Sequence, residues 1–144
     1  MRDAFIQQID IEASIETVFD HFVKPEFMVR WMGEFARLDA QDGGLFSVDI
    51  DGVLIRGEYT KIDRPTFIEI AWGEAGNELM PPGSTQLSIS LQDRGGSTSL
   101  TLTHSGLQDS EFEKHAYGWP IFLARLDSAS RGQDPGAYPW SETN

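Results

Sequence analysis

Chemistry in this chain has to come from three histidines, its carboxylates and its hydroxyls, because its 144 residues include no cysteine. There is therefore no disulfide, no thiol nucleophile and no thiolate metal site. A serine-type hydrolase needs a nucleophile beside a histidine that a carboxylate orients. No Gly-x-Ser-x-Gly occurs, and Ser105 after His104 sits in no recognisable elbow. The histidines are scattered without a His-x-x-x-His pair, so no metal site is expected. Asp42-Gly43-Gly44 lies between strand patterns rather than before a helix, so it is not read as a phosphate loop. No catalytic residue, metal or cofactor is assigned.

His104 and His115 are the polar pair that stands out. Period two places His104 on the strand face of Leu100 and Leu102, pointing inward. His115 shares a helical stripe with Phe112 and Trp119. The two are close enough in sequence to border the same end of a pocket. The favoured reading of each is a hydrogen-bonded core histidine, and the sharper one is a pocket residue. Burial lowers either pKa and keeps the ring neutral, ready to donate or accept one hydrogen bond. Tyr59 lies on an apolar strand face with Val53, Ile55 and Gly57, whereas Arg56 and Glu58 form a solvated pair on the other. His21 falls off its helical stripe and is read as facing solvent.

The elements that must position these groups are legible from periodicity. One long helix is expected over residues 110–130, its stripe made of Phe112, His115, Ala116, Trp119, Phe122, Leu123 and Leu126. Ser110 and Glu113 have the spacing of a capping box, with Asp109 at the positive end of the dipole. Pro120 removes a helical hydrogen bond, and a bend is expected there. Tyr117 and Ile121 fall opposite the stripe, an apolar pair that favours a homodimer.

Upstream, residues 4–11 alternate as a half-buried strand, and Ser14 offers an N-cap to a helix carrying Ile15, Val18, Phe19 and Phe22. Pro25 opens a second short helix over 25–32, ended by Gly33. Its Phe27, Met28, Val29, Trp31 and Met32 form either a lid on the core or a gate over a pocket. Six strands follow, at 35–39, 46–50, 53–63, 66–72, 85–91 and 98–104. Asp51-Gly52 is the strongest hairpin signal, since both residues tolerate positive φ. Residues 73–83 form a loop too long for a minimal hairpin, and such loops often border binding sites. Beyond Arg131 an irregular tail is expected, with Tyr138 and Trp140 available to pack back on the body. The whole of 1–144 reads as one α+β domain with a meandering antiparallel sheet.

Composition narrows the partners. A net charge of −12 repels phosphate backbones and anionic lipid heads, so neither nucleic acid nor a membrane surface is expected. No apolar run approaches the ~20 residues of a membrane span, and residues 1–11 alternate where a signal peptide would be continuously apolar. Cytoplasmic localisation is the default.

Taken in order, Ala13-Ser14 through Val18-Phe19, Pro25-Glu26 with Trp31, Asp42-Gly43-Gly44-Leu45-Phe46, Arg56-Gly57-Glu58-Tyr59, Arg64-Pro65, Trp72, the run from Gly96 to His104 and Gly118-Trp119 make an ordered set. The set resembles the START-like (SRPBCC, helix-grip) superfamily. Within it, the chain is similar to the branch named after the activator of the 90-kDa heat-shock protein ATPase. The resemblance implies a seven-stranded curved sheet wrapped around the C-terminal helix, with a cavity between them. Members bind, transport, cyclise or sequester apolar molecules, so it implies no one reaction. Pro120 and the Pro/Gly-rich tail depart from the family pattern.

The leading expectation is a small-molecule binding protein that needs no cofactor and holds an apolar ligand, aromatic ones included, against Trp31, Tyr59, Trp72, His104, His115 and Trp119. A co-chaperone docking on a heat-shock ATPase ranks lower, because a stand-alone domain lacks the additional domain such activators use. A cyclase- or hydratase-type enzyme working through a pocket histidine is the third reading; binding is favoured over catalysis.

Overall fold

The computed structural model describes residues 4–140. Its elements are β1 (Phe5–Ile11), α1 (Ile15–Val23), α2 (Pro25–Met28), β2 (Phe35–Leu38), β3 (Leu45–Ile50), β4 (Val53–Asp63), β5 (Phe67–Glu74), β6 (Thr85–Asp93), β7 (Thr98–Ser105) and α3 (Asp109–Ser130). The strands form one seven-stranded antiparallel sheet in the order β1-β7-β6-β5-β4-β3-β2. β2 through β7 run as a meander, and the N-terminal strand closes onto β7, pairing Phe5 with His104 and Ile11 with Thr98. This α+β architecture is the expected helix-grip fold.

Local chemistry explains most element boundaries. Ser14 caps α1 by accepting the Thr17 N–H. Asp51 and Gly52 turn β3 into β4 at φ of +47° and +87°, as a type I′ hairpin requires. Gly57 on β4 faces β5 so closely that a Cβ would lie 1.7 Å from the Ala71 carbonyl oxygen. Thr60 is skipped by the register between Tyr59 and Lys61, and such a bulge bends a strand toward its concave face. That concave face carries Phe46, Val48, Ile55, Ile68, Ile70, Leu87, Ile89, Leu100 and Leu102, all buried in one core with Val18, Phe19 and Phe22 of α1 and Trp119, Leu123 and Leu126 of α3.

Three expectations need correction. α2 ends at Met28 rather than at residue 32: Arg30 N–H bonds the Phe27 carbonyl and Trp31 N–H the Met28 carbonyl, tight turns that drive Met28, Trp31 and Met32 all inward. Gly33 ends this segment at φ +86°. Ser110 and Glu113 form no capping box, because the first helical bond runs from Phe112 N–H to the Gln108 carbonyl and makes Gln108 the N-cap. His21 is buried, not solvent-facing. Phe27 packs on its ring at 5.1 Å, and its Nδ1–H donates to the Thr17 carbonyl at 2.7 Å. The α2 segment folds back over a second side of α1, so the apolar stripe is not α1's only covered surface.

α3 continues unbroken through the exposed Pro120. Tyr117 is 66% exposed, while Ile121 is half-buried. The tail does pack back: Tyr138 and Trp140 stack at 4.8 Å, and both rings meet Phe122 edge-on at 5.8 Å. The last four residues of the expected tail, 141–144, lie outside the described residues. No helix among the described residues is long and apolar enough to cross a membrane.

Candidate functional site

A cavity of about 380 Å³ opens between the first half of α3 and the concave face at β3–β5. Its apolar wall is built from Met32, Ile50, Ile55, Trp72, Trp119 and Phe122, with Met80 contributed by the 75–84 loop. Its polar groups gather at one end: Glu74, Glu111, Lys114 and His115, with Asp51 at another edge. Trp140 of the tail also lines it.

Of the six residues singled out by sequence, Trp72, His115 and Trp119 line this cavity and the other three do not. Trp31 is fully buried beneath α1, its Nε1–H donating to the His21 carbonyl at 2.9 Å. Tyr59 is fully buried as well. Its hydroxyl donates to the Phe22 carbonyl at 2.7 Å, and burial pushes its pKa up. Tyr59 therefore staples α1 to the sheet, and Trp31 staples α1 to the segment that follows α2. Trp31 belongs to the lid on the core rather than to a gate.

His104 is close to the cavity but committed elsewhere. Trp119 Nε1–H donates to His104 Nδ1 at 3.1 Å, and an indole can only donate, so Nδ1 carries no proton. The proton of the neutral ring then sits on Nε2, which donates to Thr85 Oγ1 at 2.9 Å. The Thr85 hydroxyl in turn donates to the Trp72 carbonyl at 2.8 Å. Every polar side-chain atom of the Trp119–His104–Thr85 relay is used. Burial, reinforced by His115 nearby, holds the His104 pKa well below its ordinary value. His104 is a core histidine that locks α3 to β6 and β7.

His115 differs. Its ring stands edge-on to His104, centroids 4.9 Å apart, and edge-on to Trp72 at 6.3 Å. Its Nδ1 lies 2.7 Å from the Glu111 backbone carbonyl, which can only accept, so Nδ1 bears the proton. Nε2 is consequently an unprotonated acceptor with no protein donor among the described residues. Burial lowers the His115 pKa; the Glu111 carbonyl and the Glu111 and Glu74 carboxylates pull upward, and Lys114 adds to the lowering.

Sequence reasoning missed Glu111, Glu74 and Asn77. Glu111 is only 2% exposed although it is a carboxylate in the first turn of α3, one turn before His115 at the edge of the apolar stripe. Asn77 Nδ2 donates to Glu74 Oε1 at 3.0 Å and to Glu111 Oε2 at 3.2 Å, and Lys114 Nζ reaches the same Glu111 oxygen at 3.3 Å. One loop amide thus clamps two carboxylates and fixes the loop against α3. The length of that loop was the available signal. Trp72 Nε1 is buried without a hydrogen-bond partner among the described residues. No group of three or more His, Asp or Glu side chains among the described residues is placed to hold a metal ion.

Comparison with known proteins places this geometry. A family model described as Activator of Hsp90 ATPase homolog 1-like protein matches residues 12–131. The chain belongs to that family. A solution structure of an AHSA1-like protein from Rhizobium etli is 34% identical, covers 97% of this chain and 90% of its own, and superposes with a TM-score of 0.73. DynU16, of the dynemicin biosynthetic locus, reaches a TM-score of 0.80 at 20% identity over 95% of this chain, which spans about half (51%) of DynU16. The Aha1 dimer from Colwellia psychrerythraea gives 0.74 at 22% identity, covering 89% of this chain and 96% of its own. The last two are similarities of fold. No curated protein sequence matches this chain.

Proposed function

We propose that this AHSA1-like chain binds a flat, largely apolar small molecule in the cavity between α3 and the sheet. The observation that supports the reading is the cavity itself: about 380 Å³ of space flanked by Trp72 and Trp119, in a core whose other aromatic side chains are closely packed. That volume is in the range of small-molecule pockets, and an aromatic wall supplies binding area at little rotamer cost. The polar end offers few hydrogen bonds, so shape and apolar burial carry most of the affinity. Burying ~200 Å² of apolar ligand surface contributes on the order of 5 kcal/mol before association costs, which sets micromolar binding as the expected scale.

The test is a panel of flat apolar compounds titrated against tryptophan fluorescence in the native protein and in Trp119→Leu. Saturable binding that weakens in the variant supports the reading. Binding unchanged in the variant places the ligand elsewhere, and no binding by any compound overturns it.

Family membership favours a second reading, docking on a heat-shock ATPase, since the family model carries that activator in its description. The exposed Tyr117 and the dimeric Colwellia relative favour a second copy of the chain as partner. A cyclase- or hydratase-type reaction would fall to His115, whose Nε2 is free to take a proton. Native mass spectrometry of gently purified protein separates these readings by what remains bound: a small molecule, a chaperone or a second chain.

A further inference from the structure

We infer that the ligand of this cavity carries a hydrogen-bond donor, a phenolic or enolic hydroxyl or a ring N–H, and presents it to Nε2 of His115. The inference rests on the binding reading above and deepens it. Four observations converge on this one nitrogen. The tautomer is set by the backbone: the Glu111 carbonyl accepts from Nδ1 at 2.7 Å, which leaves the lone pair on Nε2. Nε2 has no protein donor among the described residues, whereas both nitrogens of the neighbouring His104 are paired. The side chain lines the cavity with 13% of its surface still open. It also stands at the junction of the apolar wall and the polar end, where one edge of a flat molecule would arrive.

The groups around the ring make it an acceptor and not a cation. From α3 it meets Glu111 and Lys114, from β5 Glu74, and from β7 His104. The two carboxylates are held by the Asn77 amide, and Lys114 reaches the same Glu111 oxygen, so one oxygen of each is occupied within the protein. Desolvation dominates and keeps the imidazole neutral. A ligand anion would meet Glu74, Glu111 and Asp51 across the cavity. A neutral donor is what the site accommodates, since it satisfies the unpaired His115 Nε2 without bringing charge.

The test uses 2-naphthol and its methyl ether, 2-methoxynaphthalene, which share a ring system and differ in the one proton. Calorimetric titration of the native protein is expected to show naphthol binding about tenfold tighter, the scale of one hydrogen bond to a half-buried acceptor. In His115→Phe the two are expected to bind alike. In the native protein labelled with ¹⁵N-histidine, naphthol should move the His115 Nε2 resonance upfield, toward the hydrogen-bonded form, and the ether should not. Equal affinity of the two compounds for the native protein overturns the inference and leaves the binding reading standing. Discrimination that survives in His115→Phe, or an Nε2 resonance that naphthol leaves unmoved, overturns it as well. Failure of both compounds to bind overturns the binding reading and the inference with it. The resonance arm decides the matter on the native protein if His115→Phe does not fold.

Discussion

At the scale of single residues, three histidines do three jobs that one residue type disguises. His21 fastens the α1–α2 corner, His104 relays hydrogen bonds between α3 and the sheet, and His115 turns a lone pair to the cavity. Burial lowers the pKa of all three. An unfolded histidine titrates near 6.5, so below that pH the unfolded chain binds protons the folded chain refuses. Stability is therefore fully present above about pH 6.5 and falls with acidification, by at most about 1.4 kcal/mol per pH unit for each histidine that stays neutral. The urea midpoint should drop between pH 7 and pH 5. Measuring it in about 0.5 M salt screens the repulsion of a −12 net charge, which acid would otherwise relieve. A level midpoint would show that these rings accept protons without loss of fold. Alternation and the helical stripe were enough to place His104 and His115 side by side. They were not enough to separate the two roles, because that depends on whether Trp119 or a cavity faces the ring. His21 was misread for the same reason: a helical wheel records one face, and the second cover came from Phe27.

At the scale of elements, the strands were legible almost to the residue because one face of the sheet is buried and each turn carries its own chemistry. The helix ends were less so. Ser110 looked like a cap, yet the buried Leu107 sets where the chain enters α3, and Gln108 becomes the N-cap without a side-chain bond. Pro120 is the remaining anomaly. It supplies no N–H to the Ala116 carbonyl and lies exposed within a helix of 22 residues. Replacing it by Ala restores the missing donor and improves helix propensity, so Pro120→Ala is expected to gain about 1–3 kcal/mol in chemical denaturation. A loss of stability instead would mean that a bend at this position is needed to lay Trp119 and Leu123 into the curved sheet.

At the scale of the whole molecule, the cavity exists because distant parts of the chain meet over it, and the tail is the least obvious of them. Arg125 ties the tail to the core: Nε donates to the Trp31 carbonyl at 2.9 Å, Nη1 to the Gly136 carbonyl at 2.7 Å, and the guanidinium lies 4.5 Å from the Tyr138 ring centre. Tyr138 accepts the Gly33 N–H and donates to Glu34; burial first, and that carboxylate second, push its pKa up to about 12. Trp140 donates to Asp51 at 2.9 Å and completes the cavity wall. These contacts make the tail a strap across one edge of the site, held by polar bonds and by the Tyr138 and Trp140 rings on each other and on Phe122. Such segments open at lower free-energy cost than the sheet beneath them. Arg125→Ala, which loosens the strap without shortening the chain, is expected to speed dissociation of a bound aromatic ligand about tenfold while changing association much less. Stopped-flow fluorescence reads both rates. Equal rates in the native and variant proteins would mean that ligands enter and leave past the 75–84 loop, and that Trp140 serves only to cover Phe122.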